Sequence, residues 1–207
     1  MSNIVLESWT LEEGTRKVTE LFERSYGYSP EALHSAPGRV NVIGEHTDYN
    51  GGFALPMALP HRTYAAVSQR DDRIVRLVSA QEEGVREVNL DEVDTHDSKN
   101  PVEGWPAYVV GVAWALEQQG RGKMPGLDLA IDSCVPFGAG LSSSAALECA
   151  VAVAWDALMA QTENWVSMIT TKKGRKELVE ACISAENEIA GAPTGGMDQA
   201  ASMRCRA

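Results

Sequence analysis

The chain has 207 residues, 44% of them hydrophobic, enough to bury a substantial core as one large domain or two small ones. Eighteen basic residues against 29 acidic ones leave a formal charge of −11, which argues against the basic face that a nucleic-acid binder needs, although glycine-rich loops can still take a phosphate in an acidic protein. The start, MSNIVLESWTLEEGTRK, has no basic segment followed by an apolar run, and the most apolar stretch, AALECAVAVAWDALMA, is broken by Glu148 and Asp156, so neither a signal peptide nor a membrane span is predicted and a cytoplasmic protein is expected.

Thr10-Leu11-Glu12-Glu13 reads as a capping box, and Leu11, Val18, Leu21 and Phe22 recur near helical spacing up to Gly27, so a helix is predicted to open the fold. Residues 35–89 are expected to be β-rich. The stretch 38–52 starts like a strand, with Val40, Val42 and Ile43, and short apolar or alternating runs follow at Thr63–Ser68, Ile74–Ser79 and Val85–Leu90, separated by polar turns such as Gln69-Arg70-Asp71-Asp72. After a polar connection over 91–104, Tyr108, Val109, Val112, Ala113 and Leu116 form a helical stripe. Leu127, Leu129 and Ile131 then alternate with Asp128, Ala130 and Asp132 as a strand does. A glycine-rich loop precedes a helix from about Ser143 to Ala160. A further helix is predicted from about Arg175 to Ile189, stopped at Gly191, before the tight loop Ala192-Pro193-Thr194-Gly195-Gly196. Strands come first and helices later, which predicts an α+β class rather than alternating βαβ units. The last residues, Met203 to Ala207, carry no helix stop, so the chain is expected to be part of something longer. Cys134, Cys149, Cys182 and Cys205 are scattered without C-x-x-C spacing and are expected to be free thiols in a reducing compartment.

Four stretches carry residues suited to chemistry. Pro136-Phe137-Gly138-Ala139-Gly140-Leu141-Ser142-Ser143-Ser144-Ala145 joins a predicted strand to a predicted helix. Its glycines let the backbone approach an anion, and the helix start offers unpaired N–H groups. It has neither Walker spacing nor G-x-G-x-x-G. A plain serine N-cap is the alternative, but a cap needs one serine and the run has three. Gly195-Gly196-Met197-Asp198-Gln199 sets an acid after a tight turn, where it can take a hydroxyl proton or cap a last helix. In Ser184-Ala185-Glu186-Asn187-Glu188, one acid facing the phosphate loop would complete a Mg²⁺ site, because that ion takes one or two protein oxygens with phosphates and water. Spacing does not choose between Glu186 and Glu188. Residues 38–52, GRVNVIGEHTDYNGG, follow Arg39 with Glu45, His46 and Asp48. A planar charged fork, two acceptors and an imidazole suit either a polyhydroxylated ligand or a polar turn.

Taken together, these stretches resemble the galactokinase family of GHMP small-molecule kinases. Residues 38–52 match the signature G-R-V-N-[LIV]-I-G-E-H-T-D-Y-N-x-G at essentially every position, and residues 136–145 are similar to the second GHMP motif, P-x-x-x-G-L-[GS]-S-S-[AS]. Gly196-Met197-Asp198-Gln199 looks like the segment with the catalytic aspartate, and the resemblance runs from about Leu11 onward. It implies a GHMP-kinase N-terminal domain over residues 1–207, with a mixed β-sheet packed against helices, and transfer of phosphate from ATP to α-D-galactose, giving galactose 1-phosphate.

The resemblance also implies roles. Glu45, His46, Thr47 and Asp48 would bind the sugar, with Gly195 lining the site. Gly138, Ala139, Gly140, Leu141, Ser142, Ser143 and Ser144 would wrap the ATP phosphates, with Ser79 and Trp105 near the nucleotide. Ser144 and Glu186 would hold Mg²⁺. Asp198 would be the base, and Arg39, also at the sugar, would stabilise developing charge. The family's third glycine-rich motif and its second half, which supplies a sugar-contacting tyrosine, are absent. The chain is therefore expected to be a truncated form carrying one wall of the cleft, poorly active alone, and a monomer when full length, with galactose and ATP as partners and neither nucleic acid nor membrane. A related kinase for N-acetylgalactosamine or arabinose, and a non-catalytic galactose sensor, are the alternatives. Known sensors lose residues of the serine loop, which is complete here.

Overall fold

A computed structural model describes residues 7–44, 46–162 and 165–205. In chain order the elements are α1 (Leu11–Tyr26), β1 (Ala32–Ile43), β2 (Leu55–Gln69), β3 (Ile74–Ser79), β4 (Arg86–Asn89), α2 (Trp105–Gln118), β5 (Leu127–Ser133), α3 (Ser143–Met159), α4 (Lys172–Ser184), a π-helical turn (Ala185–Ile189) and α5 (Met197–Arg204). The strands form one mixed sheet in the order β1-β2-β5-β3-β4, in which β3 and β5 run parallel and the other neighbours antiparallel. This is the α+β arrangement expected from the order of strands and helices.

Alternation along the strands builds two cores. Tyr64, Ala66, Val78 and Ala130 face α1, which packs Val18, Leu21 and Phe22 against them. Ala65, Val67, Val75, Leu77, Leu127, Leu129 and Ile131 point to the opposite face and join a larger core with α2, α3 and α4. Helix α3 is buried almost all round, which is why its sequence is apolar without a polar stripe. Its Asp156 is wholly buried and accepts from Trp165 Nε1 (2.8 Å), Ser167 Oγ (2.9 Å), Met168 N (2.7 Å) and Ile169 N (3.0 Å), pinning the loop that leads to α4.

Several boundaries differ from the sequence expectation, each for a local reason. The predicted N-cap of α1 is present: Thr10 accepts from Glu13 N at 3.1 Å, and Gly27 ends the helix in the left-handed conformation. Strand β2 begins at Leu55, well before Thr63, although Pro56 and Pro60 argue against a strand there. Residues 55–62 pair only with β1, because pairing with β5 starts at Thr63, and prolines are tolerated along the unpaired edge. Helix α4 starts at Lys172 rather than Arg175, with the Thr171 side chain accepting from Gly174 N at 2.9 Å, and gives way to the π turn at Ala185. Val85 lies outside β4, and Leu90 opens a short 3-10 turn, Leu90–Glu92. Cys134, Cys149, Cys182 and Cys205 are free, as expected. No helix among the described residues is long and apolar enough to cross a membrane.

Candidate functional site

The centre of the site is an ion pair between β1 and α5. Arg39 Nε donates to Asp198 Oδ1 at 2.7 Å and Nη2 donates to Oδ2 at 2.8 Å, a planar fork on a planar carboxylate. The third arm, Nη1, donates to the Gly140 carbonyl at 2.7 Å. Asp198 is not the cap of α5. That position belongs to Gly196, in the left-handed conformation, and the aspartate sits in the first turn where its charge suits the helix dipole.

The glycine-rich loop lies against this pair. Arg39 N donates to the Leu141 carbonyl at 3.1 Å, and a Cβ on Gly38 would stand only 2.7 Å from that same oxygen. Glycine is therefore needed at 38 for the strand and loop to touch. Gly138 and Gly140 both have positive φ, and residues 138–140 are exposed. Ser142 occupies the cap position of α3 but makes no cap hydrogen bond. It is left-handed, with φ 57°, and its hydroxyl donates to Asp198 Oδ2 instead. The plain-cap reading of the serine run thus fails at the residue where it applied.

Behind the loop, Ser144 Oγ donates to Glu186 Oε1 at 3.0 Å. Glu186 is buried, whereas Glu188 is exposed, so Glu186 is the acid that faces the phosphate loop. The π turn presents Glu186 inward, an insertion that recurs at functional sites. Burial raises the Glu186 carboxyl above its ordinary value. Hydrogen bonds from Ser144 and Gln199 oppose that shift, and the charge on Asp198 adds to it. Ser144 and Glu186 offer two hard oxygens, the donor type that Mg²⁺ takes alongside phosphates and water. Among the described residues no group of three or more His, Cys, Asp or Glu side chains is placed to hold a metal ion.

Two pockets meet at Ser143 and Ser144. One, of about 280 Å³, is lined by Ser79, Trp105, Tyr108, Phe137 and Leu147 among others. The second, of about 230 Å³, is lined by Arg39, Gly138, Gly140, Ser142 and Asp198 besides the shared serines. A largely apolar pocket thus adjoins the one that holds the ion pair, across the shared serines. Trp105 Nε1 is buried without a hydrogen-bond partner.

The loop after β1 is tied to α5. Met197 N donates to Asp48 Oδ2 at 3.2 Å, which sets residue 48 beside Asp198. His46 is exposed and left-handed, with φ 61°. The Thr47 hydroxyl is turned into its own loop, within donor reach of the Gly44 carbonyl and, at 2.8 Å, of the Phe53 carbonyl. It therefore closes the neck of the loop. Gly195 is exposed in the turn before α5. Glu45 lies outside the described residues.

Arg39, Asp48, Ser142, Ser144, Glu186 and Asp198 are thus brought together, with Ser79 and Trp105 at the neighbouring pocket. Two buried residues of this cluster, Glu148 and Gln199, were not anticipated as site residues. Gln199 Nε2 donates to Glu186 Oε2 and, at 3.1 Å, to Glu148 Oε2. The sequence signals were a carboxylate, Glu148, inside the most apolar stretch and the place of Gln199 next to Asp198. Burial, then the charge of Glu186, raises the Glu148 carboxyl well above its ordinary range.

Known proteins resemble this chain in sequence and in fold. The galactokinase galactose-binding signature matches residues 20–69, and the GHMP kinases N terminal domain matches residues 107–206. A galactokinase from Streptomyces coelicolor is 47% identical over 194 residues, covering 92% of this chain and 46% of that protein. One from Chloroflexus aggregans is 43% identical over 178 residues, covering 86% and 42%. The crystal structure of Lactococcus lactis galactokinase complexed with galactose superposes with a TM-score of 0.74 at 35% identity, over 90% of this chain and 45% of that one. Methanococcus jannaschii mevalonate kinase shares the fold, with a TM-score of 0.60 at 18% identity, over 83% and 50% of the two chains. The chain spans about half the length of the curated relatives it matches.

Proposed function

Because the chain belongs to the galactokinase family of GHMP kinases, we propose that it supplies the base, the phosphate loop and part of the sugar site for phosphoryl transfer from ATP to the anomeric hydroxyl of α-D-galactose. The observation that carries the reading is the Arg39–Asp198 fork with Ser142 on the same carboxylate, at the lip of an exposed glycine loop. Phosphoryl transfer asks a protein mainly for positioning and charge stabilisation. Asp198 accepts the sugar hydroxyl proton as the oxygen attacks. Arg39 holds the carboxylate in one plane and places a permanent positive charge beside the reacting oxygens. His46 and Asp48, with Glu45 from the same signature and Gly195 from the turn before α5, orient the ring. Thr47 holds the loop that carries them.

ATP lies with its base in the pocket of Ser79 and Trp105 and its phosphates along residues 138–144. The Ser144 hydroxyl and the Glu186 carboxylate fit Mg²⁺, which would neutralise phosphate charge when bound. Free thiols fit a reducing compartment such as the cytoplasm.

The test is galactose-dependent ADP release with Mg-ATP, run on this chain and on the gene product at the length of its relatives. N-acetylgalactosamine, arabinose and glucose serve as comparators. Release with galactose is expected from the longer protein. Asp198→Asn should bind galactose but lose at least about 100-fold in kcat, at the low end of general-base contributions. A variant that keeps most of its turnover would overturn the base assignment. A longer protein that binds galactose but releases no ADP would be a sensor.

A further inference from the structure

We infer that Gln199 is a positioning residue whose buried amide, anchored on Glu148, aims the Glu186 carboxylate at Ser144. The inference rests on the reading of Ser144 and Glu186 as the Mg²⁺ pair. Successive residues of a helix point about 100° apart. Asp198 and Gln199 are neighbours in the first turn of α5, so while one faces the open site the other faces inward, and Gln199 is fully buried.

A primary amide has two N–H donors. Both have acceptors here, on carboxyls from two different elements: Glu186 Oε2 on the π turn and Glu148 Oε2 on α3. The amide oxygen faces the Thr194 hydroxyl at 3.4 Å. Thr194 N in turn donates to Asn187 Oδ1 at 2.9 Å, which ties the turn before α5 to the residue beside Glu186. The terminal torsion of a glutamate side chain is broad and nearly free. With Oε2 held by Gln199, the other oxygen is left where Ser144 meets it. One helical turn therefore places both the base and the carboxylate behind the phosphate loop.

The arrangement is costly, which argues that it does more than pack. Glu148 is fully buried, and its Oε1 has no hydrogen-bond partner. An unsatisfied buried polar atom is destabilising, and an apolar side chain of similar volume would avoid that penalty. A carboxyl here makes sense as the acceptor that holds the amide of Gln199.

The experiment compares ATP affinity of this chain in EDTA and in Mg²⁺ by calorimetry, for wild type, Ser144→Ala, Gln199→Met, Glu148→Leu and Glu148→Gln. Wild type should bind ATP more tightly with Mg²⁺, and Ser144→Ala should lose that gain. If wild type shows no gain, or Ser144→Ala retains it, the metal pair itself is misassigned and this inference falls with it. With the pair upheld, Gln199→Met should lose roughly 10-fold or more of the Mg²⁺ gain, with affinity in EDTA unchanged. Glu148→Leu should follow it. Glu148→Gln, which keeps an acceptor oxygen at the same reach, should retain the gain. A full Mg²⁺ gain in Gln199→Met, or an equal loss in EDTA and Mg²⁺, would overturn the positioning role. If Gln199→Met does not fold, the two Glu148 variants decide by whether they differ.

Discussion

Replacing Arg39 by lysine keeps the charge and removes the fork. In the native site the guanidinium makes three hydrogen bonds, two to Asp198 at 2.7 and 2.8 Å and one to the Gly140 carbonyl at 2.7 Å. An ammonium group donates from a single point and cannot serve both carboxylate oxygens and the carbonyl in one plane. At least one charge-assisted bond is lost, each contributing about 1.5–3 kcal/mol. More than one of the three bonds is at risk, but the Asp198 side chain is 23% exposed and water replaces part of them, so a net loss of about one bond, roughly 1.5–3 kcal/mol, is expected. If the fork serves the transition state, this becomes a fall of about 10- to 150-fold in kcat. The assay is galactose-dependent ADP release by the active gene product, with galactose affinity measured separately by calorimetry. Sugar affinity should change by no more than about threefold, since binding and reaching the transition state draw on different contacts. A lysine variant within about twofold of wild-type kcat would refute the reasoning. A loss confined to sugar affinity would assign Arg39 to substrate binding alone.

Two further predictions concern the scaffold. Asp156→Ala leaves four donors without their acceptor, two of them backbone N–H groups, and should destabilise the chain by about 3–5 kcal/mol; urea unfolding measures it, and a loss below about 1 kcal/mol would mean that water replaces the carboxylate. Asp128, held under the sheet by Arg76, Tyr28 and Arg70, gives a pH signature. Burial alone would raise its carboxyl, but those partners outweigh burial and lower it. A depressed carboxylate contributes stability above its unfolded value of about 3.9, and that stability is lost as pH falls through the folded value. Asp128→Asn should therefore cost stability at pH 6 and progressively less below about pH 4, and a pH-independent cost would show that the effect is steric.

What could be read from the sequence was mostly local. The helix start at Thr10 was legible because cap and partner are three residues apart, and β5 because Leu127, Leu129 and Ile131 alternate with smaller or acidic residues, although both of its faces are buried. Arg39, Ser142, Ser144 and Asp198 stood out as residue types in motifs. Their mutual bonds did not, because those bonds join residues far apart in the chain. Residue spacing did not separate Glu186 from Glu188, which only the resemblance to the family distinguished, for a different reason. On a regular helix either acid can face inward, and the π turn that decides the matter accompanies close packing of Ala185 against Gly111, where an added Cβ would come within 2.9 Å. Gln199 was visible beside the catalytic candidate, but only the burial of Glu148 gives it a purpose.

The conformation of Ser142 bears on the proposal that its hydroxyl serves the site. A serine that merely capped α3 would accept from the helix N–H groups in an extended backbone and contribute about 1 kcal/mol. Ser142 gives up that bond and adopts a left-handed backbone, which costs a residue with a Cβ roughly 1–2 kcal/mol. The penalty is thus about 2–3 kcal/mol, comparable to the 1.5–3 kcal/mol of a hydrogen bond to a charged partner such as Asp198. Stability alone gains little from the exchange, since a glycine at 142 would relieve the strain and leave the fork from Arg39 intact. What serine adds is a hydroxyl standing between the phosphate loop and the candidate base. Under the proposed function, that is the position from which a hydroxyl would act on chemistry at Asp198.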